Sequence, residues 1–286
     1  MQTEQNEKTE QMPSAPTTSA WEKFSLKPEI LAAIKTMGYQ QPTPVQSACI
    51  PLLTSEARDL LALARTGTGK TAAFGIPLLN RIDTKAGLQS LILCPTRELA
   101  RQVAESIQSL GRVLGIEVAT ILGGESYQKQ FAALRRNPQV LVSTPGRLVD
   151  LMEQKALSLE TVEYLILDEA DEMLSFGFGE ALELIWKSLD GHDYNTWLFS
   201  ATMSQSIQKI ASTHLKTPEV VKLSTTAEPS RVQSFSAIVY EEDKEDALSL
   251  LIKSTPEFYG IVFTQTKKQV AELEIKLRSL GLAVDS

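Results

Sequence analysis

Leu60-Leu-Ala-Leu-Ala64-Arg65-Thr66-Gly67-Thr68-Gly69-Lys70-Thr71 is the stretch that decides the fold. It opens as a short apolar run of strand length and breaks into a glycine-spaced turn, with a helical stretch after it. Ala64 to Thr71 matches the phosphate-binding loop, except that Ala64 stands where the general pattern has its first glycine. Such a loop must turn backbone N–H groups toward phosphate oxygens, which calls for glycine at Gly67 and Gly69. Lys70 is then the candidate to reach the β- and γ-phosphates, and the Thr71 hydroxyl the candidate to ligate Mg²⁺.

Working outward, further apolar runs lie at Leu91–Cys94, Val118–Leu122, Val140–Ser143, Tyr164–Leu167, Trp197–Ser200 and Val220–Leu223. They are continuous rather than alternating, as expected of strands buried on both faces of a parallel sheet. Helical stretches separate most of them. The order predicts an α/β fold, a mostly parallel sheet with helices on both faces. A helical pattern through Leu26, Ile30, Leu31, Ile34 and Met37 precedes it and ends near Gly38. This domain is expected over residues 20–223. Residues 1–19 are polar, with few large apolar side chains, and read as a disordered tail. Residues 224–233 read as a linker. Residues 234–286 hold a further strand–helix–strand–helix set (Phe235–Tyr240, Asp246–Lys253, Gly260–Thr264, Lys267–Leu280), the start of an incomplete second α/β domain.

Composition bounds the function. The chain has 286 residues, is 43% hydrophobic and carries a net charge of −7. That excludes a surface coated in positive charge but not a local basic strip. Cys49 and Cys94 are too few for a disulfide framework and read as buried, reduced thiols. His192 and His214 have no partners at zinc-ligand spacing. No apolar stretch reaches the roughly eighteen residues of a membrane span, and no secretory leader opens the chain. A cytoplasmic protein without membrane contact is the expectation.

The second decisive run is Leu165-Ile-Leu-Asp168-Glu169-Ala170-Asp171, an apolar strand ending in three acids. Open α/β sheets bind ligands at the C-terminal ends of their strands. Asp168 could hold Mg²⁺, directly or through water, and Glu169 could orient and deprotonate an attacking water.

Asp168-Glu169-Ala170-Asp171 is also the sequence that names the DEAD-box family of ATP-dependent RNA helicases, and further segments resemble that family's motifs in the family's order. Gly38-Tyr39-Gln-Gln-Pro-Thr-Pro-Val-Gln46 resembles the Q motif. The resemblance implies that the Gln46 amide reads the adenine edge and that Tyr39 offers an aromatic face. Trp21 stands where the family has an upstream phenylalanine. Pro95-Thr96-Arg97 resembles motif Ia, Gly123-Gly124 the GG element, and Thr144-Pro145-Gly146-Arg147 motif Ib, all implied to contact the backbone of one RNA strand. Charge from Arg97 and Arg147, hydroxyls from Thr96 and Thr144, and close approach at the glycines suit that task, with little preference for base sequence. Ser200-Ala201-Thr202 resembles motif III, which with Asp171 implies coupling of the acid cluster to RNA. Ile261 to Thr266 resembles motif IV, the start of a second RecA-like domain. The implied fold is that of RecA-like P-loop ATPases, the cofactors ATP and Mg²⁺, and the partner single-stranded or short duplex RNA, with ribosomal or RNA-decay proteins as a further partner class.

Residues 1–286 contain no His-Arg-x-Gly-Arg run, the family's source of arginine fingers, which are worth about 10³–10⁵ in rate in comparable phosphate-transferring enzymes. The expectation is therefore a truncated chain that turns over little alone. Two other readings stay open at this point: a non-enzymatic RNA or protein interaction module, and a DNA-directed motor of superfamily 2.

Overall fold

The structure is a computed structural model that describes residues 20–223, 233, 235–255 and 257–285. The expected tail over 1–19 and nearly all of the expected linker lie outside the described residues. The chain divides into two compact units, Met1–Ser224 and Thr225–Ser286.

The first unit runs α1 (Pro28–Thr36), α2 (Pro44–Ser55), β1 (Leu60–Leu63), α3 (Lys70–Arg81), β2 (Ser90–Leu93), α4 (Arg97–Gly111), β3 (Val118–Ile121), α5 (Tyr127–Leu134), β4 (Val140–Ser143), α6 (Pro145–Glu153), β5 (Tyr164–Leu167), α7 (Ala170–Ser175), α8 (Gly179–Leu189), β6 (Asn195–Ser200), α9 (Gln205–His214) and β7 (Glu219–Lys222). The strands form one sheet in the order β3-β4-β2-β5-β6-β1-β7, with every pair parallel.

Pleating divides each inner strand between two cores. Leu60, Ala62, Ile92, Ile166 and Phe199 join one apolar cluster with α1 to α4. Leu61, Leu91, Leu93, Leu165, Leu167 and Leu198 join another with α6 to α9. This explains why the inner strands read as unbroken apolar runs. The outer strands differ. Val118 and Thr120 of β3 are only half-buried, and β7, paired with β1 alone, leaves Val220 48% exposed. An edge strand has sheet on one side only, so burial of Val220–Leu223 on both faces does not hold.

Parallel strands deliver all their C-terminal ends to one rim, and the loops there carry the motifs read from the first unit, apart from the Gly38–Gln46 segment, which precedes β1. β3, β4 and β2 lead into Gly123, Thr144 and Pro95. β5, β6 and β1 lead into Asp168, Ala201 and Ala64. The sheet order thus sorts the motifs into two adjoining groups.

In the second unit, α10 (Lys244–Ser254) and α11 (Lys267–Ser279) form as expected, tied by Lys276 to Glu245 and Asp246 at 2.9 and 3.0 Å. Residues 235–240 and 260–264 form no strand among the described residues. Phe235, Ile238, Ile261 and Phe263 stay more than four-fifths exposed. An apolar run becomes a strand only when a neighbour completes its ladder, and these two runs do not pair.

Candidate active site

Backbone hydrogen bonds carry β1 one residue further, Ala64 N donating to Ser200 O at 3.0 Å. The chain then turns through Gly67 and Gly69 into α3. Gly69 sits at φ +90°, and a Cβ there would lie 2.5 Å from Gln46 Nε2, so both backbone angle and space require glycine. Thr68 closes the turn by donating its hydroxyl to Arg65 O at 2.7 Å.

Lys70, at the first position of α3, is buried. Its Nζ lies 3.8 Å from Asp168 Oδ1 and 3.7 Å from Glu169 Oε1. These are ion-pair distances, too long for hydrogen bonds. Both Lys70 Nζ and Asp168 Oδ1 are buried with no hydrogen-bond partner. Burial pushes the Asp168 carboxyl up to about 6, opposed by the Lys70 charge and reinforced by Glu169. Glu169 holds a left-handed backbone, φ +55° and ψ +53°, rare for a residue with a side chain.

A cavity of about 510 Å³ opens over these groups, lined by Tyr39, Gln46, Thr66 to Ala72, Asp168 and Glu169. The donor set suits the implied ligands. An ammonium without a hydrogen-bond partner and two positive-φ glycines suit an anion, and one or two carboxylates beside a hydroxyl is the usual protein share of a Mg²⁺ site. Trp21, Ala64 and Arg65, also expected in the nucleotide site, do not line the cavity. Trp21 is buried, stacks on Tyr39 at 6.4 Å between ring centres, and donates its Nε1–H to Tyr39 O at 2.9 Å, so it braces Tyr39. Ala64 is a core residue and Arg65 faces solvent.

Gln46 is engaged by the protein itself. Its Oε1 accepts from Thr43 N at 2.9 Å and its Nε2 donates to Gly69 O at 3.1 Å, tying the start of α2 to the P-loop. One N–H and one oxygen lone pair remain for a ligand.

Asp171 links two strand ends. Its carboxylate accepts from Ala201 N at 3.4 Å, Thr202 N at 3.0 Å and Thr202 Oγ1 at 2.9 Å. Burial pushes this carboxyl up, but the Thr202 and Ala201 bonds outweigh it and hold it below the ordinary carboxylate value. Ser200 Oγ donates to Thr202 O at 2.7 Å and so shapes the same turn.

The other half of the rim forms a second cavity of about 570 Å³, lined by Pro95, Thr96, Arg97, Gly123, Gly124, Thr144 and Phe178. Arg97 Nη1 donates to Gly123 O at 2.9 Å. Gly124 has φ +78°, and a Cβ there would come 2.2 Å from Arg97 Nη1. Pro145 is buried at the start of α6, and Gly146 approaches the Phe178 ring. Arg147 turns inward rather than toward this cavity. Its Nε donates to Gln130 Oε1 at 2.9 Å, its Nη2 to Glu125 O at 3.0 Å, and its guanidinium lies 3.5 Å from the centre of the Tyr127 ring. The charge expected to be offered to a phosphate is spent inside the fold.

Sequence reasoning missed Phe178, Gln130, and the α4 residues Leu99, Gln102 and Ser106 that line the first cavity. Spacing of three and four residues along α4 was the available signal for the last three.

Comparison with known proteins bears on the family and the fold. A family model described as DEAD/DEAH box helicase matches residues 43–210. The DEAD-box ATP-dependent RNA helicase CshA of Geobacillus kaustophilus is 39% identical over 269 residues, 93% of this chain and 57% of that protein. The ATP-dependent RNA helicase CshA of Listeria monocytogenes is 39% identical over 264 residues, 92% of this chain and 50% of that one. The chain thus spans about half the length of these curated relatives. Among solved structures, a DEAD box protein from Methanococcus jannaschii aligns with a TM-score of 0.70 and 38% identity, over 92% of this chain and 70% of that one. Dbp5 of S. cerevisiae bound to RNA and ADP BeF3 aligns with a TM-score of 0.77 and 32% identity, over 92% and 68%. With the Asp168-Glu169-Ala170-Asp171 signature placed beside the P-loop lysine, the chain belongs to the DEAD/DEAH box helicase family, as a DEAD-box member.

Proposed function

We propose that this chain is the ATP-binding and RNA-gripping part of an ATP-dependent RNA helicase acting on single-stranded or short duplex RNA. The observation that carries the reading is the buried pair Lys70 Nζ and Asp168 Oδ1, each without a hydrogen-bond partner at the wall of the first cavity. Leaving such groups unsatisfied costs about 1–3 kcal/mol each, more when charged, so the arrangement makes sense if a ligand completes it. A phosphate oxygen satisfies the lysine.

Lys70 and the amides around Gly67 and Gly69 bind and orient the triphosphate. Mg²⁺, held by Asp168 and the Thr71 hydroxyl, would neutralise charge on the phosphate oxygens. Glu169 orients the attacking water and accepts its proton. Tyr39 and the free N–H and lone pair of Gln46 face the base. The Asp171–Thr202 bonds join the acid loop to the loop after β6, so movement of either is felt by the other.

On the second cavity, Thr96 and Thr144 offer hydroxyls, Gly123 and Gly124 offer close backbone approach, and Arg97 offers charge. Contacts of this kind position a strand without reading its bases. The two CshA relatives are named as RNA helicases and the Dbp5 neighbour was solved with RNA. These names support RNA over DNA as the partner, and strand separation is proposed for the whole protein.

The test pairs two measurements. Anisotropy of labelled oligonucleotides should show salt-sensitive binding that prefers RNA to DNA and ignores base sequence. Phosphate release from ATP, with protein in excess, should be abolished by Glu169→Gln. Preference for DNA, or release that survives Glu169→Gln, would overturn the reading.

A further inference from the structure

α4 begins where the two groups of rim loops meet, because β2 lies between β4 and β5 in the sheet. Its N-cap Thr96 and first residue Arg97 line the second cavity, while Leu99, Gln102 and Ser106 line the first. Those three share one face of the helix. Gln102 is exposed and Ser106 half-buried, and neither side chain is engaged by another described residue. They bring an amide and a hydroxyl, each both donor and acceptor, to a cavity whose opposite wall is the P-loop.

Packing sets their height along the cavity. α3 and α4 both follow parallel strands and pack on the same face of the sheet. They approach closely at Gly75, where a Cβ would lie 2.4 Å from Ile107 Cδ1. One turn back on each helix, about 6 Å along the axis, places Val103 level with Thr71. Gln102 precedes Val103, and Ser106 lies three residues beyond it. Both therefore stand alongside the first two turns of α3, the helix that opens with Lys70 and Thr71.

Given that this cavity takes ATP, we infer that Gln102 and Ser106 are further nucleotide-binding residues, contacting the phosphate end of the bound nucleotide and its water. Both are neutral, so they add orientation rather than charge. One helix then carries contacts to both ligands, with the RNA-side residues Thr96 and Arg97 within about three turns of the nucleotide-side pair.

Isothermal titration of MgATP into the wild-type chain, Gln102→Leu, Ser106→Ala, Gln102→Glu and Lys70→Ala tests this, with melting curves beside each. Gln102→Leu and Ser106→Ala should each weaken binding about five- to tenfold, as loss of one hydrogen bond does, with unchanged melting temperature. Gln102→Glu should weaken it further, because a carboxylate would face the phosphates. Affinities within twofold of wild type for all three, with Lys70→Ala still abolishing binding, would overturn the inference and leave the nucleotide site standing. Absence of binding by the wild-type chain would overturn both.

Discussion

Replacing Asp168 by asparagine should stabilise the ligand-free protein at neutral pH while removing a carboxylate from the proposed Mg²⁺ site. The carboxyl is buried at the end of β5, and burial raises it from 3.8 to about 6. A rise of about two units, at roughly 1.4 kcal/mol per unit, means that the ionised form costs the fold about 3 kcal/mol. The native state binds this proton more tightly than the unfolded state does. Its stabilising contribution is therefore complete below about pH 4 and is lost as pH rises through 6. Asparagine keeps the shape and removes the titration. Lys70 loses one counter-charge but keeps Glu169 at 3.7 Å, so a net gain of about 1–2 kcal/mol is expected at pH 7.5. Urea unfolding followed by tryptophan fluorescence is the assay. Trp21, Trp186 and Trp197 all lie in the first unit, so the signal reports on that unit alone. A variant-to-wild-type difference that fails to widen in the variant's favour between pH 4 and pH 7.5 would refute the reasoning.

Gly124→Ala should weaken RNA binding severalfold by anisotropy, since its Cβ would displace Arg97 from Gly123 O; the left-handed backbone adds a destabilisation of about 1 kcal/mol, visible in a melt. Arg147→Ala should lower stability by about 2–4 kcal/mol in urea, because it leaves buried Gln130 and the Glu125 carbonyl without their donor; a change in RNA affinity with unaltered stability would contradict the inward placement. Thr202→Val should cost about 1 kcal/mol at pH 7 through the lost bond to Asp171. Because Asp171 is held below the ordinary carboxylate value, its stabilisation is present above about pH 4 and is lost as pH falls through the lowered value, so the Thr202→Val deficit should shrink in acid.

The inner strands were legible because two-sided burial forces uninterrupted apolar runs, and Val140–Ser143 and Tyr164–Leu167 form strands with those bounds. The P-loop was legible because Gly69 has neither the backbone angle nor the space for a side chain. Strand runs alone did not reveal strand order, and strand order is what separates the two cavities. Arg147 shows the limit most clearly: a sequence shows that a charge is present, not that Gln130 and Tyr127 have already claimed it. Gln46 is similar, its amide partly used by Thr43 and Gly69. Residues 235–240 and 260–264 carry apolar runs of strand length, but a strand is completed by a partner that the run itself does not supply.

The central claim is that Lys70 and Asp168 are left unsatisfied for a nucleotide phosphate and its metal. Titrating MgATP into wild type and Lys70→Ala, with and without Mg²⁺, tests it most directly. The account predicts saturable, Mg²⁺-dependent binding by wild type and at least a tenfold loss in Lys70→Ala, whose fold the tryptophan signal should report as intact. Equal affinity in the two proteins, or binding indifferent to Mg²⁺, would contradict it.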